Sequence, residues 1–198
     1  MTNPPKKFIL GISGASGAIL GIRMLEALNS LNIETHLIIT KAAEHTILEE
    51  TSLKAEDVIT LAHEHHAINN IGSALASGSF KAIGMAIVPC SIKSLSAIAN
   101  AYTADLLSRA ADVTLKEGRP LLLAVRETPL HSGHLRLMQL ASEAGAIIFP
   151  PIPAFYTHPN SLDELVNNTV GRMLARIGIE NDLYQIWDPE KGNQEHTK

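Results

Sequence analysis

The chain has 198 residues, with 16 Lys and Arg against 20 Asp and Glu for a formal charge of -4, and an isoelectric point near 6.1. That length fits a single domain over 1–198 and excludes a multidomain machine, and the absence of a dense basic block excludes nucleic acid as the ligand. Apolar residues at 45% exclude a disordered chain, while charged residues at only 18%, against roughly 25% in ordinary soluble domains, imply that part of the surface meets other protein.

The predicted elements alternate between short apolar runs and longer stretches of helical period, the pattern of βαβ units around a parallel sheet. Strands are expected at Phe8–Ile12, Glu34–Thr40, Ala67–Asn69, Ala82–Val88, Leu121–Val125 and Ala146–Phe149. Helices are expected at Ala18–Ser30, Ala42–Glu50, Ile92–Ala99, Asp105–Lys116, Leu135–Ala144 and Leu162–Ile177, with a polar, frayed tail over about 189–198. The strands read as continuous apolar runs, as strands covered on both faces do. Lys6 and Lys7 ahead of FILGISGASGAILGI imitate a signal peptide, but Gly11, Ser13, Gly14, Ser16 and Gly17 break the run. No other segment reaches the length of a membrane span. The lone Cys90 allows no intrachain disulfide and no thiolate zinc site, which fits a reducing, cytoplasmic setting.

Two strand-to-helix turns carry the chemistry. GISGASGA, Gly11–Ala18, offers main-chain N–H groups and a helix start to an anion, without matching the dinucleotide fingerprint or a P-loop. The competing reading is a glycine turn that only packs helix on strand. The second strand ends in Thr40-Lys41, where an NAD site would place a carboxylate, so a mononucleotide such as FMN fits better. PCSIKS, Pro89–Ser94, repeats the arrangement, with Ser91 as a helix cap and Cys90 as a packed side chain rather than a nucleophile.

Arg126 falls at a strand C-terminus, where a cation can hold phosphate, and its neighbour Glu127 can move a proton. Arg109 and Lys116 share one helix face and read, like Arg172, as solvated charges. FPPIPAFYTHP, residues 149–159, is a stiff connector that carries Phe155 and Tyr156 on a loop beyond a strand end. The clusters His63, His65, His66 and His131, His134 match no metal-ligand spacing and read as surface histidines.

Together GISGASG, PCSIKSLSAIA, SRAADVTLKEGRPLLLAVRETPLH and PPIPAFY resemble the UbiX-type flavin prenyltransferase family over about Lys7–Trp187. The resemblance implies a three-layer flavodoxin-like or Rossmann-like α/β fold assembled into a dodecamer. It also implies transfer of a dimethylallyl group from dimethylallyl phosphate to N5 and then C6 of reduced FMN, without a metal. The product, prenylated FMN, serves UbiD-type decarboxylases of ubiquinone biosynthesis or related aromatic acid decarboxylation. By the same resemblance Gly14, Ala15, Ser16, Thr40, Ser91, Ile92, Lys93, Ser94 and Arg126 bind FMN. Tyr156 and Arg172, joined by Lys116 and Arg109, bind the prenyl phosphate. Ser16 lies near flavin N5, Lys116 belongs to the catalytic set, and Glu127, with Glu50 as second candidate, handles protons. Trp187 supplies an aromatic wall from a neighbouring chain.

Two positions depart from the family pattern: Gly118 in LKEGRP, where many members carry Arg, and His158 in FYTHP, where many read FYHRP. The rivals are an FMN-dependent cysteine decarboxylase, whose PASANT stands where this chain has PCSIKS, and a non-catalytic FMN carrier.

Overall fold

The computed structural model describes residues 5–186. Trp187 and the polar tail from about 189 lie outside the described residues. Two compact units meet at the Pro151–Ile152 bond.

In the first unit, β1 (Lys7–Ile12), β2 (Glu34–Ile39), β3 (Glu64–His65), β4 (Met85–Cys90), β5 (Leu121–Val125) and β6 (Ile147–Ile148) form one sheet in the order β3-β2-β1-β4-β5-β6. Every pairing in it is parallel. The order reverses where β1 lies beside β4, and in open α/β sheets such a switch point leaves a crevice beyond the strand C-termini. The run that imitated a signal peptide is thus the buried central strand β1.

Alternate side chains of the central strands serve opposite faces. On one face Ile9, Ile87 and Leu123 pack with Leu95 of α4 (Ile92–Ala99) and with Leu107, Ala110 and Ala111 of α5 (Leu106–Lys116). On the other lies α1 (Ala18–Ser30), whose Ile22, Leu25 and Leu28 are fully buried. Gly21 brings α1 so close to β4 that a methyl group there would strike the Val88 carbonyl. Each large aliphatic side chain so buried contributes roughly 1.5–3 kcal/mol. The result is three layers, helix on sheet on helix.

Most expected elements occur, with several corrections. The third strand is Glu64–His65, upstream of the expected Ala67–Asn69; it pairs with His36 and Leu37 of β2 at the edge of the sheet, where exposed polar residues suffice. The fourth begins at Met85 rather than Ala82, since Ala82 closes a turn on the Phe80 carbonyl. α2 is Lys41–Glu50, and a short α3 (Ala55–Ile59) and a 3₁₀ turn (Ala74–Ala76) were not foreseen. α6 (Ser132–Glu143) starts earlier than expected because His131 caps it, its ring accepting from the Gly133 N–H.

The second unit is built on α7 (Leu162–Arg176), capped by Ser161, which accepts from Glu164 N–H at 3.1 Å. Gly178 at φ 81° reverses the chain. Asn181 Nδ2 then donates to the Gly171 carbonyl at 3.1 Å, a close approach that a side chain at Gly171 would block.

Candidate active site

The crevice at the switch point is a cleft of about 230 Å³ lined by Gly14, Thr40, Ser91, Lys93, Ser94 and the aliphatic Ile68, Ile98 and Leu107, among others. It shares Lys93, Ala97, Asp105 and Ser108 with a wider hollow of about 800 Å³ that reaches Tyr102. Thr40 caps α2, its hydroxyl accepting from Ala43 N–H at 3.2 Å. Ser91 caps α4, accepting from Ser94 N–H at 3.3 Å with the two hydroxyls 3.2 Å apart. Two helix N-termini with their hydroxyls and the Lys93 ammonium therefore open on one cleft, a donor set for a phosphate. The aliphatic wall opposite suits a flat ring system. The residues present thus fit FMN.

Ser13 holds the two motifs together. Its hydroxyl donates to the Pro89 carbonyl at 2.8 Å and accepts from Ser91 N–H at 2.8 Å, so the two turns move as one piece.

The glycines of GISGASGA have packing reasons of their own. A methyl group at Gly11 would strike Leu107, one at Gly14 would strike Ala42, and Gly17 sits at φ 101°. The expected anion at the start of α1 is supplied from within: Glu50 Oε2 accepts from Gly17 N–H at 2.8 Å and Ala18 N–H at 2.9 Å. The helix that receives a carboxylate here is α1, so a ligand phosphate has α2 and α4 to turn to.

Glu50 gathers two further predicted residues. Burial pushes its carboxyl upward, but a hydrogen bond from the Ser16 hydroxyl, those from Ala18 and Gly17, and the Arg126 guanidinium together hold it below the usual value. A carboxylate so engaged is a weak base and a firm anchor. Glu127 is exposed and accepts from the N–H of Thr128 at 3.0 Å. Cys90 is fully buried, and burial pushes its thiol up to about 12, which leaves it inert as the sequence predicts.

Of the predicted FMN ligands, Gly14, Thr40, Ser91, Lys93 and Ser94 line the cleft, Ser16 and Arg126 gather at Glu50, and Ala15 and Ile92 are not among the lining residues. Asp105 and Ser108 also line it and were not foreseen. Asp105 caps α5, accepting from Ser108 N–H at 2.8 Å, and an Asp directly before a helical run is the signal that would have found it. Arg109 pairs with Asp112 at 2.8 Å and Lys116 with Glu117 at 3.4 Å. Neither cation lines the cleft. Arg119 is a structural brace, donating to the Phe80 and Gly78 carbonyls at 2.6 and 2.7 Å. In the second unit Arg172 Nη1 donates to Tyr156 Oη at 3.4 Å, uniting the two residues expected on the prenyl phosphate. Trp187 lies outside the described residues.

The histidines require a correction. His66 is buried rather than on the surface, and so is His36, which the sequence did not single out. His36 stands opposite Glu64 in the β2–β3 register, and its Nδ1 lies 3.0 Å from His66 Nε2. Local spacing could not reveal this pair, because His36 lies on β2 and His66 just after β3.

A family model described as Flavoprotein matches residues 1–173. The flavin prenyltransferase UbiX of Escherichia coli K12 is 53% identical over 185 residues, covering 92% of this chain and 98% of that protein. Among solved structures, AnUbiX in complex with FMN and dimethylallyl pyrophosphate superposes with a TM-score of 0.92 at 46% identity, covering 93% of this chain and 98% of that one. A dodecameric FMN-dependent UbiX-like decarboxylase from Escherichia coli O157:H7 gives 0.89 at 44%, covering 92% and 99%. The cysteine decarboxylase TvaF shares the fold alone, at 14% identity and a TM-score of 0.59 over 74% of this chain and 90% of that one. This chain belongs to the UbiX-type flavin prenyltransferase family, a family of flavoprotein enzymes. Among the described residues no helix is long and apolar enough to cross a membrane.

Proposed function

We propose that the protein transfers a dimethylallyl group from dimethylallyl phosphate to reduced FMN, forming prenylated FMN. The observation that carries this reading is the convergence of the α2 and α4 N-termini, with Ser91, Lys93 and Ser94, on a cleft with an aliphatic wall. Bound reduced FMN supplies the nucleophilic N5 and C6 positions. The allylic C–O bond of the donor breaks with its electron pair leaving on the phosphate, so cationic and hydroxyl donors stabilise the leaving group. Arg172 and Tyr156 form such a pair and take that role.

Glu50 fixes the Gly17 turn and holds the Ser16 hydroxyl by a hydrogen bond, and Ser16 is the residue that would stand near N5 of bound flavin. Closing the ring would add C6 across the prenyl double bond, so a proton must reach the alkene carbon that C6 does not bond as C6 gives up its own; Glu127, less encumbered than Glu50, is the group assigned to relay it. Arg126 faces Glu50 and lends its charge to the flavin side of the site. Lys116 and Arg109 are assigned to the prenyl phosphate as well, and where the site is completed by an assembly a second subunit could present them. The exposed Ile152, Phe155, Leu162 and Ile186 supply apolar surface for such an assembly, a dodecamer as in the Escherichia coli O157:H7 relative. The product passes to a UbiD-type decarboxylase, and a reducing, cytoplasmic setting suits a reduced flavin.

The test is anaerobic incubation with reduced FMN and dimethylallyl phosphate, followed by mass spectrometry of the extracted flavin. A flavin heavier by one dimethylallyl unit is expected, and absent with heat-killed protein. Unchanged FMN with either the phosphate or the pyrophosphate donor would instead favour a carrier.

A further inference from the structure

At the far edge of the sheet three groups with lone pairs face one another. His36 Nδ1 and His66 Nε2 are 3.0 Å apart. Glu64 Oε2 lies 3.4 Å from the first and Oε1 3.6 Å from the second. Both imidazoles are buried, while the Glu64 side chain is 56% exposed, so the cluster is rigid on one side and open to water on the other.

One proton between the two ring nitrogens satisfies their hydrogen bond. What sets the cluster apart is that one ligand atom from each of His36, Glu64 and His66 lies within 4.8 Å of the others, so a cation could take the place of that proton. Tetrahedral zinc with ligands at about 2.0–2.1 Å places neighbouring donor atoms about 3.3 Å apart, and the three separations here bracket that value. The donor set, two imidazoles and one carboxylate, suits zinc and its first-row neighbours rather than magnesium or calcium.

The surroundings agree at His66, whereas His36 Nε2 is buried without a hydrogen-bond partner. His66 Nδ1 lies 3.0 Å from Ser73 Oγ, the outer hydrogen bond that orients a metal-bound imidazole. Phe80 stands edge-to-face with His36, its ring centroid 4.8 Å away, and walls the site from within. The register that sets His36 opposite Glu64 makes the arrangement a property of the β2–β3 pairing rather than of flexible side chains.

We propose that His36, Glu64 and His66 bind a divalent transition metal of the zinc class, with water in the fourth position. The metal clips the two-residue strand β3 to β2. None of the three residues lines the flavin cleft, so the site is structural and stands apart from prenyl transfer.

The test is titration of the metal-stripped full-length protein with Zn²⁺ against a chromophoric chelator, and with Co²⁺ by visible absorption. One equivalent per chain is expected, with the absorption of four-coordinate Co²⁺ and a rise in Tm on adding metal. Glu64→Gln, at an exposed position, should weaken binding at least tenfold while leaving prenyl transfer unchanged. Ser73→Ala should weaken it about 10–100-fold through the outer hydrogen bond. No stoichiometric binding in the parent overturns the proposal. So does binding that survives Glu64→Gln, or that is lost in His131→Asn, which would place the metal at His131 and His134 instead.

Discussion

The flavin cleft and the β2–β3 edge both gather polar groups from separate strands, but by different means. The cleft collects residues that directly follow strand ends, Gly14 after β1, Thr40 after β2 and Ser91 after β4, and parallel topology brings those ends together. The edge cluster depends instead on which residue of β2 stands opposite which residue of β3. A site made at strand ends is written in contiguous motifs. A site made by register is invisible until the pairing is known.

Four substitutions sharpen this contrast, from the largest effect to the smallest. Glu127→Gln should lower turnover by about 10²–10⁴-fold while FMN binding is retained, as expected for loss of a group that moves a proton; steady-state rates with parallel flavin titration would measure it. A variant with parental turnover would return the proton transfer to Glu50. Arg172→Met should raise the KM for the prenyl donor by about 10–100-fold, the loss of one charged hydrogen bond of about 1.5–3 kcal/mol, with little change in FMN affinity. An equal loss of both would mean that Arg172 supports the fold rather than the donor.

Gly14→Ala pits the packing reading of the glycine turn against the ligand reading. Its new methyl group meets Ala42 at the start of α2, so stability should fall by about 1–3 kcal/mol even without flavin, as overpacking does. Urea unfolding of the apoprotein measures this, and loss of flavin affinity at unchanged stability would favour the ligand instead.

The smallest effect concerns pH. The Glu50 carboxyl is held below its ordinary value of 4.5, so the folded protein binds fewer protons than the unfolded chain there. Its stabilisation is therefore present above that value and disappears as the pH falls through the lowered one. Glu50→Gln keeps an oxygen for the Gly17 and Ala18 N–H groups but should flatten this acid limb in thermal melts from neutral pH downward. An unchanged limb would mean that Glu50 is not the anchor of the turn.

The sequence made the strand-end chemistry legible because the relevant residues are neighbours. PCSIKS contains the cap, the cation and the second hydroxyl of one helix start, and its fold was readable from the apolar run before it. The β3 edge was misplaced because it is two exposed polar residues, too short and too polar to show any apolar period. His66 was assigned to the surface for the same reason, since its partner His36 lies thirty positions back on another strand. Glu50 was foreseen only as a second acid. Its actual place, on the N–H groups of Gly17 and Ala18, required knowing that α2 returns its end to the start of α1.

If the cleft holds a phosphate on the α2 and α4 helix starts, its affinity for a flavin must depend on that phosphate. Comparing FMN with riboflavin, which lacks only the phosphate, tests it most directly, by fluorescence titration of the flavin-free protein. FMN should bind at least tenfold more tightly, the equivalent of one charge-assisted hydrogen bond of about 1.5–3 kcal/mol, and Ser94→Ala should narrow the gap. Equal affinity for the two flavins would move the phosphate out of this cleft.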